Sequence, residues 1–196
     1  MTEADRRRKL ALLEAAHVAP LVQLIRGWES EARRFPLVDP EDGGVEAKVL
    51  FLQHTPSSTA VRSGFVSRKN LDRTAPRADR WLREAGFARG DYIRWNVVPY
   101  CISTEDSDGK ATGEEVREAA ERYTLPFLAL LPRLKVIVFQ GGKAQAQIKH
   151  LGSLNGIQLI STYHCGARHP DGADSLTLTR LRYGSHRPKS LPAWGD

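Results

Sequence analysis

Four short apolar runs, separated by stretches of helical periodicity, constrain the fold more than anything else in this chain. They are KVLFLQ (48–53), DYIRWNVV (91–98), KVIVFQ (135–140) and GIQLISTYH (156–164). Each has strand length, is rich in β-branched or aromatic residues, and is bounded by turn formers or charge. Helical patterns lie between them, from Pro76 to Phe87, from Gly113 to Leu131 and from Lys143 to about Leu151. Runs that alternate in this way predict a parallel sheet with helices on both faces, an α/β architecture. Ahead of them, residues 3–33 carry Leu10, Leu13, His17, Leu21, Leu24 and Trp28 roughly on one helical face, with a break or bend near Pro20. DPEDGG (39–44) is a loop into the first strand, and SHRPKSLPAWGD at the end reads as an extended tail with Trp194 available to dock back.

At 196 residues the chain is expected to form one domain, with residues 1–45 a helical segment packed on a core built from 46–196. No apolar run approaches the roughly 20 residues needed to cross a bilayer, and MTEADRRRKLALLEAA lacks the apolar stretch and cleavage site of a signal peptide. A cytoplasmic location is therefore expected. Two cysteines, Cys101 and Cys165, are too few for a disulfide scaffold or for an iron–sulfur cluster held by this chain alone. His164, Cys165 and His169 lack a second ligand pair, so no metal is expected. GGKAQ (141–145) has neither the spacing nor the hydroxyl of a P-loop, and no Gly-x-Gly-x-x-Gly or Gly-x-Ser-x-Gly occurs. The net charge of +6 is unevenly placed: 62–80 and 179–189 are basic, and 103–115 is acidic. Such basic runs suit a polyanion, because Arg and Lys release counterions from phosphates.

In an open parallel sheet, ligands bind beyond the carboxyl ends of the strands, where the strand order reverses. Those ends are chemically alike here. The first strand ends in Gln53 and His54, the second in Asn96, the third in Gln140-Gly141-Gly142 and the fourth in His164. One polar group at a strand tip is ordinary; four amide or imidazole tips indicate a site.

The order of these tips resembles the uracil-DNA glycosylase superfamily over about residues 46–185. VLFLQHTPS (49–57) lies over that family's first motif, and SGFVSRKN (63–70) falls where its iron–sulfur branch has Pro-Phe-Val-Gly. IRWNVVPYC (93–101) matches the strand ending in a base-reading Asn. VIVFQGGKAQ (136–145) matches the third strand, and ISTYHCGARHP (160–170) the second motif, of Thr-Tyr-His-Pro-Ser type. The resemblance implies a three-layer α/β/α sandwich around a four-stranded parallel sheet. It also implies a DNA repair enzyme that extrudes uracil and hydrolyses its N-glycosidic bond without a cofactor, acting on DNA as a monomer. By position, Asn96 would read the uracil edge, Phe65 would stack on the ring, and His164 would hydrogen-bond O2. Arg168 would fill the stack as a wedge, with Ser57, Arg68 and Lys143 on the DNA backbone.

The likeness is incomplete at the first motif. Gln53-His54 stands where relatives have Gly followed by a carboxylate or amide, and His164-Cys165-Gly166 replaces His-Pro-Ser. Neutral His54, assisted by Gln53, is the expected holder of the attacking water, with Asp72 as the other candidate. Two other readings fit the same sequence: a weak member that binds damaged or abasic DNA without turnover, and a flavodoxin-like protein for a nucleotide or nucleobase.

Overall fold

A computed structural model describes residues 1–30, 33–102 and 111–166. Arg168, the basic run 179–189, the tail with Trp194 and most of the acidic loop lie outside the described residues.

The four apolar runs form one parallel sheet, with strands β2 (Val49–Gln53), β4 (Tyr92–Asn96), β5 (Val136–Gln140) and β6 (Gln158–Thr162) in the order β4-β2-β5-β6. Two short segments the sequence did not signal, β1 (Leu37–Val38) and β3 (Phe65–Val66), make a separate parallel pair. Each long strand is shorter than its run; at the amino ends of β2 and β4 the flanking Lys48 and Asp91 pair with each other and stay partly in water.

Strand residues point alternately to the two faces of the sheet. Leu50, Leu52, Ile93, Trp95, Ile137 and Phe139 join one core, with residues of α2 (Ala19–Arg26), α5 (Gly113–Ala119) and α6 (Leu125–Ala129). There the Trp95 and Phe127 rings stack 5.0 Å apart. Val49, Phe51, Tyr92, Val136, Val138 and Ile160 face the other way and pack on Ala78, Trp81 and Leu82 of α4 (Ala75–Glu84). Helix, sheet and helix form three layers, as expected for an α/β sandwich.

The helices differ from the sequence expectation in detail. Of the break or bend expected near Pro20 the structure has the break: the N-terminal stretch is two helices, α1 (Glu3–Ala11) and α2, joined by turns, and Pro20 opens the second. A proline fits the first turn because its missing N–H would have no partner there anyway. Between α5 and α6 the chain forms a π-turn, Ala120–Thr124, just ahead of Pro126, which cannot donate to the carbonyl four residues back. Residues 142–151 make only a four-residue helix, α7 (Gly142–Gln145), and a 3₁₀ turn. Among the described residues, no helix is long and apolar enough to cross a membrane.

Candidate active site

Side-chain alternation puts the last residue of every long strand on the α4 face. Gln53 pairs in register with Asn96, and Gln140 with Thr162. The ladder continues past the tips: the Val97 amide donates to the Gln53 carbonyl at 2.8 Å, and the Val98 amide to that of His54 at 3.0 Å. The backbone carrying Gln53, His54 and Asn96 is thereby fixed. Above it, the loop from β3 to α4 closes a pocket of about 320 Å³, lined by Gln53, His54, Arg94, Asn96 and His164 among others.

Asp72 and Asn70 set the shape of that loop. Asp72 Oδ1 accepts from the Thr74 and Ala75 amides, capping α4, while its Oδ2 accepts from the Ser57 hydroxyl at 3.1 Å. Asn70 donates to the Phe65 carbonyl at 2.9 Å. Between these two anchors Leu71 is 80% exposed.

Asn96 is 2% exposed, and its Oδ1 is buried with no hydrogen-bond partner. An amide oxygen desolvated in this way costs about 1–3 kcal/mol unless a ligand or water satisfies it. Gln53 donates to Gln140 Oε1 at 3.3 Å and to Cys165 Sγ at 3.1 Å, so its amide nitrogen is committed. His54 is half-buried and its Nε2 has no partner. Burial lowers its pKa, and the charges of Lys143 and His164 act in the same direction. His164 follows β6 by two residues. Burial lowers its pKa too. The Gly166 amide donates to its Nδ1 at 3.0 Å, which leaves the neutral ring a donor at Nε2. Gly141, with φ of +90°, lies against this histidine: a Cβ there would meet His164 Cβ at 3.0 Å.

The remaining expected site residues are placed differently. Phe65 is 1% exposed, belongs to the hydrophobic core, and does not line the pocket; Val66 and Ser67 do. In this conformation it is therefore not positioned to stack on a bound ring, because pairing of β3 with β1 turns it into the core. Arg68 is tied to Asp79 of α4 at 2.8 Å. Ser57 caps α3 (Ser58–Ser63) as well as bonding Asp72. Lys143 is exposed on α7 and near enough to act electrostatically on His54. Asp72 lines the pocket; its Oδ1 accepts two backbone amides and its Oδ2 one hydroxyl, which leaves one acceptor position on Oδ2.

Sequence reasoning missed the floor. Arg94, two residues before Asn96 on the same face of β4, lines the pocket at 5% exposure. Beside it lies a buried polar cluster. Lys9 pairs with Asp39 and Glu41; Arg89 pairs with Asp39, Glu41 and Asp42; and the hydroxyl of the pocket residue Ser67 donates to Asp39 at 2.6 Å. Burial, reinforced by Asp39, pushes the Asp42 carboxyl up to about 7. A lone arginine inside the apolar run YIRWNVV was the available signal.

Among the described residues, no group of three or more His, Cys, Asp or Glu side chains is arranged to hold a metal ion. No curated protein matches the sequence. The profile of the uracil DNA glycosylase superfamily matches residues 40–173, well over half of the chain, and spans the sheet, the pocket and both histidine tips. The chain belongs to the uracil DNA glycosylase superfamily.

Proposed function

We propose that this protein is a monofunctional DNA glycosylase that hydrolyses the N-glycosidic bond of uracil in DNA and leaves an abasic site. The observation that carries the reading is the pairing, in one pocket, of a buried unpartnered amide oxygen on Asn96 with an imidazole whose free N–H is at Nε2 of His164. Uracil presents N3–H between two carbonyl oxygens. Asn96 Oδ1 accepts from N3–H while its amide nitrogen donates to O4; cytosine offers the opposite pattern and is refused. His164 Nε2–H donates to O2.

Cleavage moves the electron pair of the glycosidic bond onto the base and leaves positive charge on the sugar. Donors already in place at the base oxygens stabilise that change without reorganising. Water then adds to the anomeric carbon and gives up a proton. Neutral His54, with an unpartnered Nε2, accepts it, and Gln53 holds the strand tip beside it. The positive net charge and the exposed Lys143 suit the phosphate backbone; Arg168 remains the proposed wedge, and the chain is proposed to act as a monomer.

The test is incubation of the pure protein, in EDTA, with a uracil-containing oligonucleotide, followed by alkaline cleavage of abasic sites. Strand scission dependent on uracil is expected. DNA retained by the protein with no scission refutes the hydrolase and leaves a member that binds damaged DNA without turnover.

A further inference from the structure

Among the described residues, Arg94 is the least explained charged group. It is 5% exposed, lines the pocket, and among the described residues makes no hydrogen bond and no ion pair. Its Nε and Nη2 are both buried without partners. A buried guanidinium normally has a carboxylate beside it, because an unpaired charge gives up its hydration with nothing in return. Asp42, on which the Arg94 charge acts, does not serve: it accepts from Arg89 at 3.2 Å, and its second oxygen is itself unpartnered. Asp42 and Arg94 feel each other's charge without touching. Neutralising a neighbour does not account for Arg94.

Its position does. Residues i and i+2 of a strand share a face, about 7 Å apart along it. Arg94 therefore stands one step below Asn96 on the wall of the same pocket. Asn96 and a neutral His164 offer only dipoles to a base that departs as an anion, whereas Arg94 offers a full charge and spare N–H donors. We propose that Arg94 is a catalytic residue: its guanidinium hydrogen-bonds a carbonyl oxygen of the extruded pyrimidine, and the contact strengthens as the glycosidic electron pair moves onto the ring. The guanidinium stays protonated throughout. The bond that breaks is between the anomeric carbon and the base nitrogen, the bond that forms is from water oxygen to that carbon, and the water proton goes to His54. This rests on the uracil-excision reading. It adds that the leaving group is stabilised by charge and not by dipoles alone.

A leaving-group comparison tests it. Single-turnover rates are measured for wild type, Arg94→Gln and Arg94→Lys on single-stranded oligonucleotides carrying uracil or 5-fluorouracil, whose anion is intrinsically more stable. Arg94→Gln should lose about 10²–10³-fold on uracil, the size of loss seen when one preorganised donor is removed. It should lose a markedly smaller factor on 5-fluorouracil, with Arg94→Lys in between. Equal losses on both substrates overturn the proposal and make Arg94 a structural residue. If Arg94→Gln fails to fold, wild type and Arg94→Lys decide the matter. Inhibition of the wild type by free uracil should tighten as pH rises toward ionisation of the base, and less so for Arg94→Lys; a flat wild-type response overturns it. A folded wild type inert on both substrates overturns the glycosylase reading and this one with it. An active wild type with equal losses overturns this one alone.

Discussion

The Gly166 backbone amide and the His164 ring form a hydrogen bond of 3.0 Å, with Nδ1 as the acceptor. The tautomer is thus fixed by the chain itself, and a neutral His164 carries its proton at Nε2. His164→Ala should lower single-turnover uracil excision by about 10²–10³-fold, as for one lost donor to developing negative charge. His164→Gln, which retains an N–H donor, should recover part of that loss. Rapid-quench rates on a uracil oligonucleotide decide it: an Ala variant within a few-fold of wild type takes His164 out of the chemistry.

Both pocket histidines have depressed pKa values, chiefly through burial. A depressed histidine stays neutral as pH falls past its ordinary value and protonates only below it. The acid limb of the single-turnover rate should therefore lie below about 6.5, the unperturbed value. A limb centred above that value means that neither His54 nor His164 limits the reaction in its neutral form.

Asn96→Asp replaces an amide donor with an acceptor beside a base acquiring negative charge. The loss of a contact of this kind is worth about 1.5–3 kcal/mol, or roughly 10–100-fold in rate. Unchanged kinetics in a folded variant exclude Asn96 from base recognition.

His54→Ala should reduce the rate by about 10²–10⁴-fold, the range for a lost general base. Gln53→Ala should cost less, because its amide nitrogen is spent on Gln140 and Cys165 and its part is to hold the tip. The reverse ranking, measured under single-turnover conditions, would move the water onto Gln53.

Asp42 has a folded pKa raised to about 7, above its unfolded value of about 3.9. A group raised in this way contributes stability fully below the unfolded value and loses it as pH rises through the folded one. Asp42→Asn stays neutral at every pH, so its stability relative to wild type should improve between about pH 5 and pH 8.5. Urea midpoints at the two pH values check this; parallel changes in both proteins remove Asp42 as the source.

Strands β2, β4 and β5 were legible because they are buried on both faces, and a largely apolar run is what such a strand requires. β6, at the sheet's edge with Leu159 exposed, was marked instead by its β-branched residues after a turn. The tips Gln53, His54, Asn96 and His164 were legible for the complementary reason: polar groups closing an apolar run need a place outside the core. Phe65 was not, since a two-residue strand has too little pattern to reveal which way it faces. Arg94 sat in plain view within YIRWNVV, but only the three-dimensional neighbourhood shows that, among the described residues, no carboxylate pairs with it. Ser67, Asp39 and Lys9 are joined across 28 and 30 residues of chain, a relationship no local spacing encodes.

That last connection makes the amino terminus part of the foundation of the pocket. The superfamily match begins at residue 40, yet fully buried Lys9 from α1 supplies positive charge to Asp39, which in turn holds the Ser67 hydroxyl in the pocket wall. Removing α1 leaves Asp39 and Glu41 with Arg89 as their remaining shared cation, and exposes to water an acidic seam directly behind the lining. A shortened chain that keeps every matched residue would thus carry its recognition groups on a loosened footing. The first helix, outside the matched span, works as a counterion delivered from a distance; a chain cut at residue 40 would lose not only that helix but Asp39 itself and the core residues Leu21, Val22 and Ile25 of α2.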